Sequence, residues 1–344
     1  MSEAETEQED PGKTPEAAQR VWIGFDLGGT KMMAVVYDDK LKMLGRKRRR
    51  TRGRNSREVS LERLAETIEM ALRDAEVSAK QIAGIGAGCP GPLDLKKGRI
   101  LEAPNLGWKD VDLQRYLEKK FDCPAVLCND VDAGVYGEYA SGAAKGYRGV
   151  LGVFPGTGIG GGFVYEGRVF HGSRSTCMEV GYMPLVGDGP SAGVGPPGSL
   201  EGLASRLAIS AEAAKAVYRG QAPHLKELAG TDLASIRSST LAESIREGDK
   251  AVEQIVSRAA EMVGWGIGSL INILAPDAVV LGGGLVEAMP DLYLKSVRKG
   301  ISRNVLPSLS DQHDLKVAEL GDYSTVTGAA AIARKGAMEP VDPP

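Results

Sequence analysis

The sequence predicts an α/β protein built from two lobes with a cleft between them. A short apolar strand, a glycine turn and a second strand follow one another in VWIGFDLGGTKMMAVVYDD, which starts at Val21. The same pattern returns in GVLGVFPGTGIGGGFVYEG, which starts at Gly149. The chain has 344 residues, and its 45 glycines are clustered rather than spread evenly. Two such units in a chain of this length predict two lobes of similar fold.

The distribution of apolar and charged residues sets the expected limits of the tails and lobes. The first residues are acidic and almost free of apolar side chains, so they cannot bury enough surface to offset their ordering entropy. We expect a disordered acidic tail at 1–20, an N-terminal lobe at 21–145, a C-terminal lobe at 146–321, a closing helix at 322–337 and a disordered tail at 338–344.

After its hairpin, the first lobe shows one helix and two buried strands. Apolar residues at helical spacing predict a helix over 61–75. The strands IAGIGAGC and PAVLC each run into a polar or Gly/Pro loop. The small residues of VDAGVYGEYASGA predict a closely packed helix after the second of them.

The second lobe is richer in helices. A Gly/Pro stretch at 186–199 precedes predicted helices at 200–218, 231–247 and 249–274. The strand AVVL then enters the glycine turn LGGGL, and LKVAEL is a further strand before the closing helix.

A run of basic residues follows the first hairpin, from Lys42 to Arg57. One interpretation is a patch that binds nucleic acid or another polyanion. The other is an exposed edge strand whose charges prevent aggregation. The second is favoured because no aromatic residues are interleaved and no recognition module precedes the run.

Composition excludes several classes of protein. The net charge is −3 and the pI about 5.8, so no overall positive field attracts nucleic acid. No apolar run reaches the roughly 18 residues of a membrane span, and the acidic start is unlike a secretory signal. The four cysteines form no C-x-x-C pair, which favours free thiols in the cytoplasm.

Three glycine turns indicate a nucleotide site. Glycines let backbone N–H groups approach an anion closely, and Asp26, which ends the first strand, suits Mg²⁺ held through water. Each turn alone is weak evidence, but three at strand ends describe a nucleotide held between lobes. The G-x-x-x-x-G-K-[ST] loop is absent, and GTGIGG leads into a strand, which argues against a dinucleotide site. The turns are DLGGTK with Gly28, Gly29, Thr30 and Lys31, PGTGIGGG with Gly156, Thr157 and Gly158, and LGGGL with Gly283 and Gly284.

Asp130 is the candidate catalytic base because phosphoryl transfer needs a carboxylate to accept the hydroxyl proton. The alternative is that Asn129 and Asp130 only cap a helix, and Asp132 is a further candidate for the cap. Glu179 and Glu201 have the chemistry to bind vicinal sugar hydroxyls. Asn105 is a third candidate for a hydroxyl contact, although Asn-Leu-Gly suits a plain turn as well. The three histidines show no metal-binding spacing, and no role is assigned to them.

These motifs resemble those of ROK-family sugar kinases. DLGGTK, GCPGPLD, APNLGW, CNDVDAG, PGTGIGGGFVYEG, MEVGY, GSLEGLAS and LGGGL occur in the family's order over about 21–335. The resemblance implies the actin/Hsp70-like (ribonuclease H-like) ATPase fold, with ATP and Mg²⁺ in the cleft and a hexose as acceptor.

Residue roles follow from the same resemblance. Asp130 would be the general base, and Asp26 and the first two glycine turns would meet the phosphates. Gly283 and Gly284 would lie near the adenosine. The residues expected to contact the sugar are Asn105, Asn129, Asp130, Glu179, Tyr182 and Glu201.

One segment departs from the family pattern. Members commonly carry a histidine after E-I-G and then the zinc motif C-x-C-G-x-x-G-C-x-E. Here Tyr182 takes the histidine position and GPSAGVGPPGSLE contains no cysteine. We therefore expect no zinc site. Asp132 stands where the family usually has an amide.

The resulting prediction is an ATP-dependent hexose kinase, most simply a glucokinase acting on the 6-hydroxyl. The alternatives are a kinase of fructose, mannose or N-acetylmannosamine, and a sugar-responsive regulator without catalysis. The short acidic start argues against a DNA-binding module. No nucleic-acid or membrane partner is expected, and family members are often homo-oligomers.

Overall fold

A computed structural model describes residues 20–51, 56–172, 177–193 and 195–338. The strands are β1 Val21–Leu27, β2 Lys31–Tyr37, β3 Met43–Arg50, β4 Ile82–Cys89, β5 Leu93–Asp94, β6 Arg99–Ala103, β7 Trp108–Val111, β8 Ala125–Asn129, β9 Gly149–Pro155, β10 Ile159–Tyr165, β11 Arg168–Val169, β12 Ala278–Leu281 and β13 Asp314–Val317. The helices are α1 Arg57–Asp74, α2 Leu113–Phe121, α3 Asp130–Ser141, α4 Leu200–Ala204, α5 Arg206–Tyr218, α6 Pro223–Ala229, α7 Ser238–Arg246, α8 Lys250–Leu274, α9 Gly284–Ala288, α10 Pro290–Ser302 and α11 Ser324–Met338.

Two five-stranded sheets have the same topology. The first has the order β3-β2-β1-β4-β8 and the second β11-β10-β9-β12-β13. In each, three antiparallel strands are continued by two strands parallel to the first strand of the unit. The prediction of two similar strand–turn–strand units is therefore confirmed in the pairing of the strands. A small antiparallel sheet, β5-β6-β7, extends from the first sheet.

Two helices lie between the large sheets. Met33 and Val35 of β2 pack against α11 through Val326, whereas Val135 of α3 packs on Val150 of β9. At Gly86 of β4, an added Cβ would lie 1.9 Å from a carbonyl oxygen of α11, so glycine is required for this approach. The outer faces are covered by α1 and α2 on the first sheet and by α4–α10 on the second.

Several element boundaries differ from the prediction. The span 200–218 is two helices because Ser205 is extended and its hydroxyl caps α5. The span 231–247 contains only α7, and α6 precedes it. Strand β10 begins at Ile159, so the second glycine turn is shorter than expected. Gly160 belongs to the strand because α3 packs on it: an added Cβ would lie 2.6 Å from a Val131 methyl.

Two further expectations concern the chain termini and the basic run. Both predicted tails lie outside the described residues, apart from residue 20 and from residue 338, where α11 ends. Residues 46–50 of the basic run lie in β3, which is an edge strand of the first sheet, and Arg57 begins α1; residues 52–55 lie outside the described part of the chain. None of the helices in the described part of the chain combines the length and hydropathy that a membrane span requires.

Candidate active site

A cavity of about 640 Å³ lies in the cleft. Its walls are the start of α3, the β9–β10 turn, the segment 177–182 and α4. It brings together most of the residues that were expected to bind sugar. These are Asn129, Asp130, Glu179, Tyr182 and Glu201, with Gly156, Thr157 and Gly158 of the second glycine turn.

Asp130 is the first residue of α3, where β8 ends against the cavity. Its pKa is raised from 3.8 to about 6. Burial is the largest cause and the charges of Asp132 and Glu179 act in the same direction, whereas backbone N–H groups oppose the rise. A carboxylate with this pKa is ionised at neutral pH and accepts a proton readily. Asp130 has the position and basicity of a general base.

The helix cap is Asn129. Its Oδ1 accepts hydrogen bonds from the backbone N–H groups of Val131 at 2.9 Å and Asp132 at 3.2 Å. Of the two aspartates, neither serves as the N-cap residue, so the suggestion that Asp132 is the cap is wrong. Capping uses the amide oxygen of Asn129 and leaves its nitrogen as a donor at the cavity wall.

Glu201 is fixed by the turn opposite. Its Oε2 accepts a hydrogen bond from the Ile159 backbone N–H at 2.7 Å. An added Cβ at Gly158 would lie 2.3 Å from the same oxygen, so only glycine allows the turn and the carboxylate this close approach. Burial first, then the charges of Asp132 and Glu201, raise the pKa of Glu179. Together these acids form a cavity wall that accepts hydrogen bonds from hydroxyl groups.

Tyr182 packs against the segment that replaces the family's zinc motif. An added Cβ at Gly195 would lie 2.4 Å from its ring, so the loop backbone lies directly on the aromatic side chain. Nearby, Leu185 N–H donates to the Gly198 carbonyl and Gly198 N–H donates to the Pro190 carbonyl. No group of three or more His, Cys, Asp or Glu side chains in the described ranges could hold a metal. Backbone hydrogen bonds and ring packing organise this segment.

The first glycine turn, residues 28–30, connects β1 and β2 beside Asp26 and Lys31. Thr51 anchors it, because its N–H donates to the Thr30 carbonyl at 2.8 Å and its hydroxyl to the Gly28 carbonyl at 2.6 Å. Burial raises the pKa of Asp26 to about 7, and the Asp130 charge contributes in the same direction. An acid destabilised in this way fits a hydrated Mg²⁺, which prefers oxygen ligands.

Asn105 does not line the cavity. It is exposed in the short 3₁₀ turn between β6 and β7, and an added Cβ at Gly29 would lie 2.9 Å from its Cβ. The structure therefore places Asn105 beside the first glycine turn and apart from the other residues expected to contact sugar. Its contact with the sugar stays a prediction.

A second cavity of about 900 Å³ adjoins the second glycine turn. Arg206 lines it and holds the turn, since its Nη2 donates to the Thr157 hydroxyl at 2.9 Å and its backbone N–H to the Gly156 carbonyl. Gly284 also lines it, whereas Gly283 precedes α9 with φ 84°. The sequence analysis missed three residues that line this cavity, Arg206, Arg237 and Ser238. The one available signal was that Arg206 directly follows the GSLEGLAS motif.

At the same cavity, the sequence analysis considered Asp132 only as a helix cap and as a departure from the family pattern, and it missed the neighbouring His171. Asp132 is almost fully buried in the first turn of α3 and lines the cavity. The Nδ1 atom of His171 lies 3.5 Å from Oδ2 of Asp132. No sequence signal connects the two residues, because they are separated along the chain and meet only in the folded structure.

The sequence model of the ROK family matches residues 22–336. The chain belongs to the ROK family. It is similar to the glucokinase of Halalkalibacterium halodurans, with 26% identity over 322 residues that cover 92% of this chain and 96% of the relative. Its fold is the two-lobed actin/Hsp70-like α/β fold of this family's sugar kinases.

Two solved structures share this fold. The ROK glucokinase from Streptomyces griseus, in complex with glucose and AMPPNP, has a TM-score of 0.79 and 28% identity, covering 92% of this chain and all of that one. The ROK hexokinase from Thermus thermophilus has a TM-score of 0.77 and 34% identity, covering 91% and 97%. The family also contains regulators: the xylose repressor of Caldicellulosiruptor bescii is 26% identical over 90% of this chain and 77% of its own length.

Proposed function

We propose that the protein is an ATP-dependent hexose kinase that phosphorylates the 6-hydroxyl of glucose. One observation carries the proposal: the Asp130 carboxylate, whose pKa is about 6, faces a polar cavity lined by the second glycine turn and by Glu179 and Glu201. The glucokinase relatives and the similarity to a glucokinase with glucose and AMPPNP support the same substrates.

The sugar would be held by hydrogen bonds from its hydroxyl groups to Glu179 and Glu201 and from the free amide N–H of Asn129. Tyr182 adds one hydroxyl that donates or accepts. Because Glu201 is already bound to a backbone N–H, its position is set before the sugar arrives. Such preorganisation lowers the entropy cost of aligning the reacting hydroxyl.

In the reaction, the 6-hydroxyl oxygen attacks the γ-phosphorus in line with the departing ADP, and Asp130 accepts the hydroxyl proton. Backbone N–H groups of the two glycine turns and the Lys31 ammonium stabilise negative charge on the phosphoryl oxygens. Asp26 would hold Mg²⁺ through water, and the bound ion supplies further positive charge at the phosphates. The adenosine would occupy the second cavity, near Arg206, Gly283 and Gly284.

The proposal extends to the cellular compartment and to the binding partners of the protein. Of the four cysteines, Cys89, Cys123 and Cys128 are buried as free thiols, which suits the reducing cytoplasm. The partners would be the sugar, ATP and further copies of the chain.

Activity of purified protein with a panel of hexoses and amino sugars, each with ATP and Mg²⁺, tests the proposal by release of ADP. Asp130→Asn should retain sugar binding and lose about 10²–10⁴-fold in kcat. Asp188→Asn is the matched control, since Asp188 is exposed in the Gly/Pro segment and does not line the cavity. Wild-type turnover in Asp130→Asn would remove Asp130 from the mechanism.

A second candidate function is that of a sugar-responsive regulator, which the repressor relatives favour. It predicts saturable sugar binding without ADP release for any sugar of the panel. A kinase of fructose, mannose or N-acetylmannosamine predicts the highest kcat/KM with that sugar instead of glucose.

A further inference from the structure

Arg206 joins the two cavities through the second glycine turn. Arg206 lines the second cavity, whereas Thr157 lines the first one, which contains Asp130. The guanidinium Nη2 of Arg206 donates to the Thr157 hydroxyl oxygen at 2.9 Å. Its backbone N–H donates to the Gly156 carbonyl oxygen at 2.9 Å, and the Gly156 N–H donates to the Gly158 carbonyl oxygen at 2.7 Å. The turn is therefore fixed by its own backbone and by Arg206.

One short stretch of chain holds this turn at both of its ends. Glu201 in α4 accepts the Ile159 N–H at 2.7 Å just after the turn, and Arg206, the first residue of α5, holds its beginning. Between the two helices, the Ser205 N–H donates to the Glu201 carbonyl oxygen at 3.1 Å, and the Ser205 hydroxyl oxygen accepts the Ala208 N–H at 3.3 Å. The helices that position Glu201 therefore also set the reach of Arg206 to the turn.

The place of Arg206 is unfavourable for the helix that carries it. A cation in the first turn of a helix opposes the positive end of the helix dipole. Among the described residues, no carboxylate lies within ion-pair distance of the Arg206 guanidinium to offset this effect. The reason for an arginine at this position therefore lies outside the helix, at the turn that it contacts.

The direction of the hydrogen bond between Arg206 and Thr157 follows from the chemistry of the two groups. A guanidinium has donors but no acceptor, so the threonine oxygen accepts and the hydroxyl proton points away from Arg206. The phosphoryl group in transfer lies between the nucleotide and the sugar hydroxyl that gives its proton to Asp130. Thr157 is exposed on the wall of the cavity that contains Asp130, so its proton is available to the phosphoryl oxygens. A charged donor on the same oxygen also polarises the O–H bond.

We propose that Arg206 is a positioning residue for phosphoryl transfer, which orients and polarises the Thr157 hydroxyl so that it donates to a γ-phosphoryl oxygen in the transition state. This inference rests on the proposed kinase function. A donor that is oriented before the reaction stabilises the negative charge that develops on these oxygens without turning during the step. Without Arg206, the hydroxyl can rotate and donate to water instead.

A double-mutant cycle tests the proposal, with ADP release from ATP and sugar as the assay. The variants are Arg206→Met, Thr157→Val and the two combined, which remove the donor, the hydroxyl or both and keep side chains of similar length. Thr157→Val should lower kcat about 10²-fold and Arg206→Met roughly tenfold, since the second change leaves a hydroxyl that still donates part of the time. The combined variant should be no slower than Thr157→Val alone, because Arg206 acts through the hydroxyl.

Two further measurements separate this role from a structural one. Arg206→Met should lower kcat and kcat/KM for ATP by the same factor, as expected for an interaction made only in the transition state. Its melting temperature should not fall, because the lost cation stands at the unfavourable end of the helix dipole. The matched control is Arg219→Met, which removes an exposed arginine at the other end of α5 and should keep the wild-type kcat.

Three results overturn this inference and leave the proposed function intact. The first is wild-type kcat in Arg206→Met. The second is losses that multiply in the combined variant, because Arg206 would then act on the phosphates itself and not through Thr157. The third is a fall in melting temperature that accompanies the loss of rate in Arg206→Met. Failure of the wild type to release ADP with any sugar overturns the proposed function instead.

Discussion

Replacing Asp130 with asparagine should stabilise the protein while it removes activity. In the folded state the pKa of this carboxyl is about 6, against an ordinary value of 3.8. Between these values the unfolded chain releases the proton and the folded chain keeps it, so stability falls as the pH rises through this window. At about 1.4 kcal/mol per pKa unit, the ionised carboxylate disfavours folding by up to about 3 kcal/mol above pH 6.

Asparagine keeps the shape and the Oδ1 acceptor that receives the Val131 N–H at 3.0 Å, but it has no charge to desolvate. Urea unfolding should therefore give Asp130→Asn about 2–3 kcal/mol more free energy of unfolding than the wild type at pH 8, against a total of 5–15 kcal/mol for ordinary domains. Near pH 4 the difference should almost vanish, because both forms are then largely uncharged when folded.

The control Asp188→Asn should change stability by less than about 0.5 kcal/mol, because its side chain is exposed. The reasoning is refuted if Asp130→Asn is no more stable than the wild type at pH 8. It is also refuted if the gain persists undiminished at pH 4, since a charge-independent gain cannot come from relief of an ionised, desolvated group.

Three other changes test different parts of the structure. Glu138→Gln should lower the free energy of unfolding by about 3–5 kcal/mol in urea titrations, with exposed Glu319→Gln as the control. This fully buried carboxylate accepts four hydrogen bonds: one comes from the loop just after α3, and three come from the segment that leads into α11 and from its first residue. Gly158→Ala should lower kcat/KM for the sugar about tenfold or more with little change in melting temperature, since its methyl group displaces Glu201. A zinc chelator without affinity for Mg²⁺ should leave melting temperature and activity unchanged, and metal analysis should find far less than one zinc per chain.

The sequence was informative wherever local chemistry decides the structure. Apolar runs and glycine turns predicted β1, β2, β9 and β10 and the likeness of the two units, because strand and turn preferences act over a few residues. The motif order pointed to the ROK family, which the family match confirms. The predicted element boundaries were wrong where tertiary packing decides them. Gly160 is a strand residue because α3 packs on it. The helix predicted at 231–247 is a loop followed by α7.

Local pattern alone predicted that the apolar strand PAVLC is followed at once by an asparagine and an aspartate, and that glycine turns follow other strands of the chain. Only the tertiary structure decided that Asn129 caps α3 while Asp130 faces the cavity, that His171 approaches Asp132, and that Arg50 lies opposite Lys31. The reason is physical. Desolvation, pKa and charge alignment depend on which residues meet across the two lobes, and residues that are far apart along the chain meet only when the sheets and the helices between them are packed.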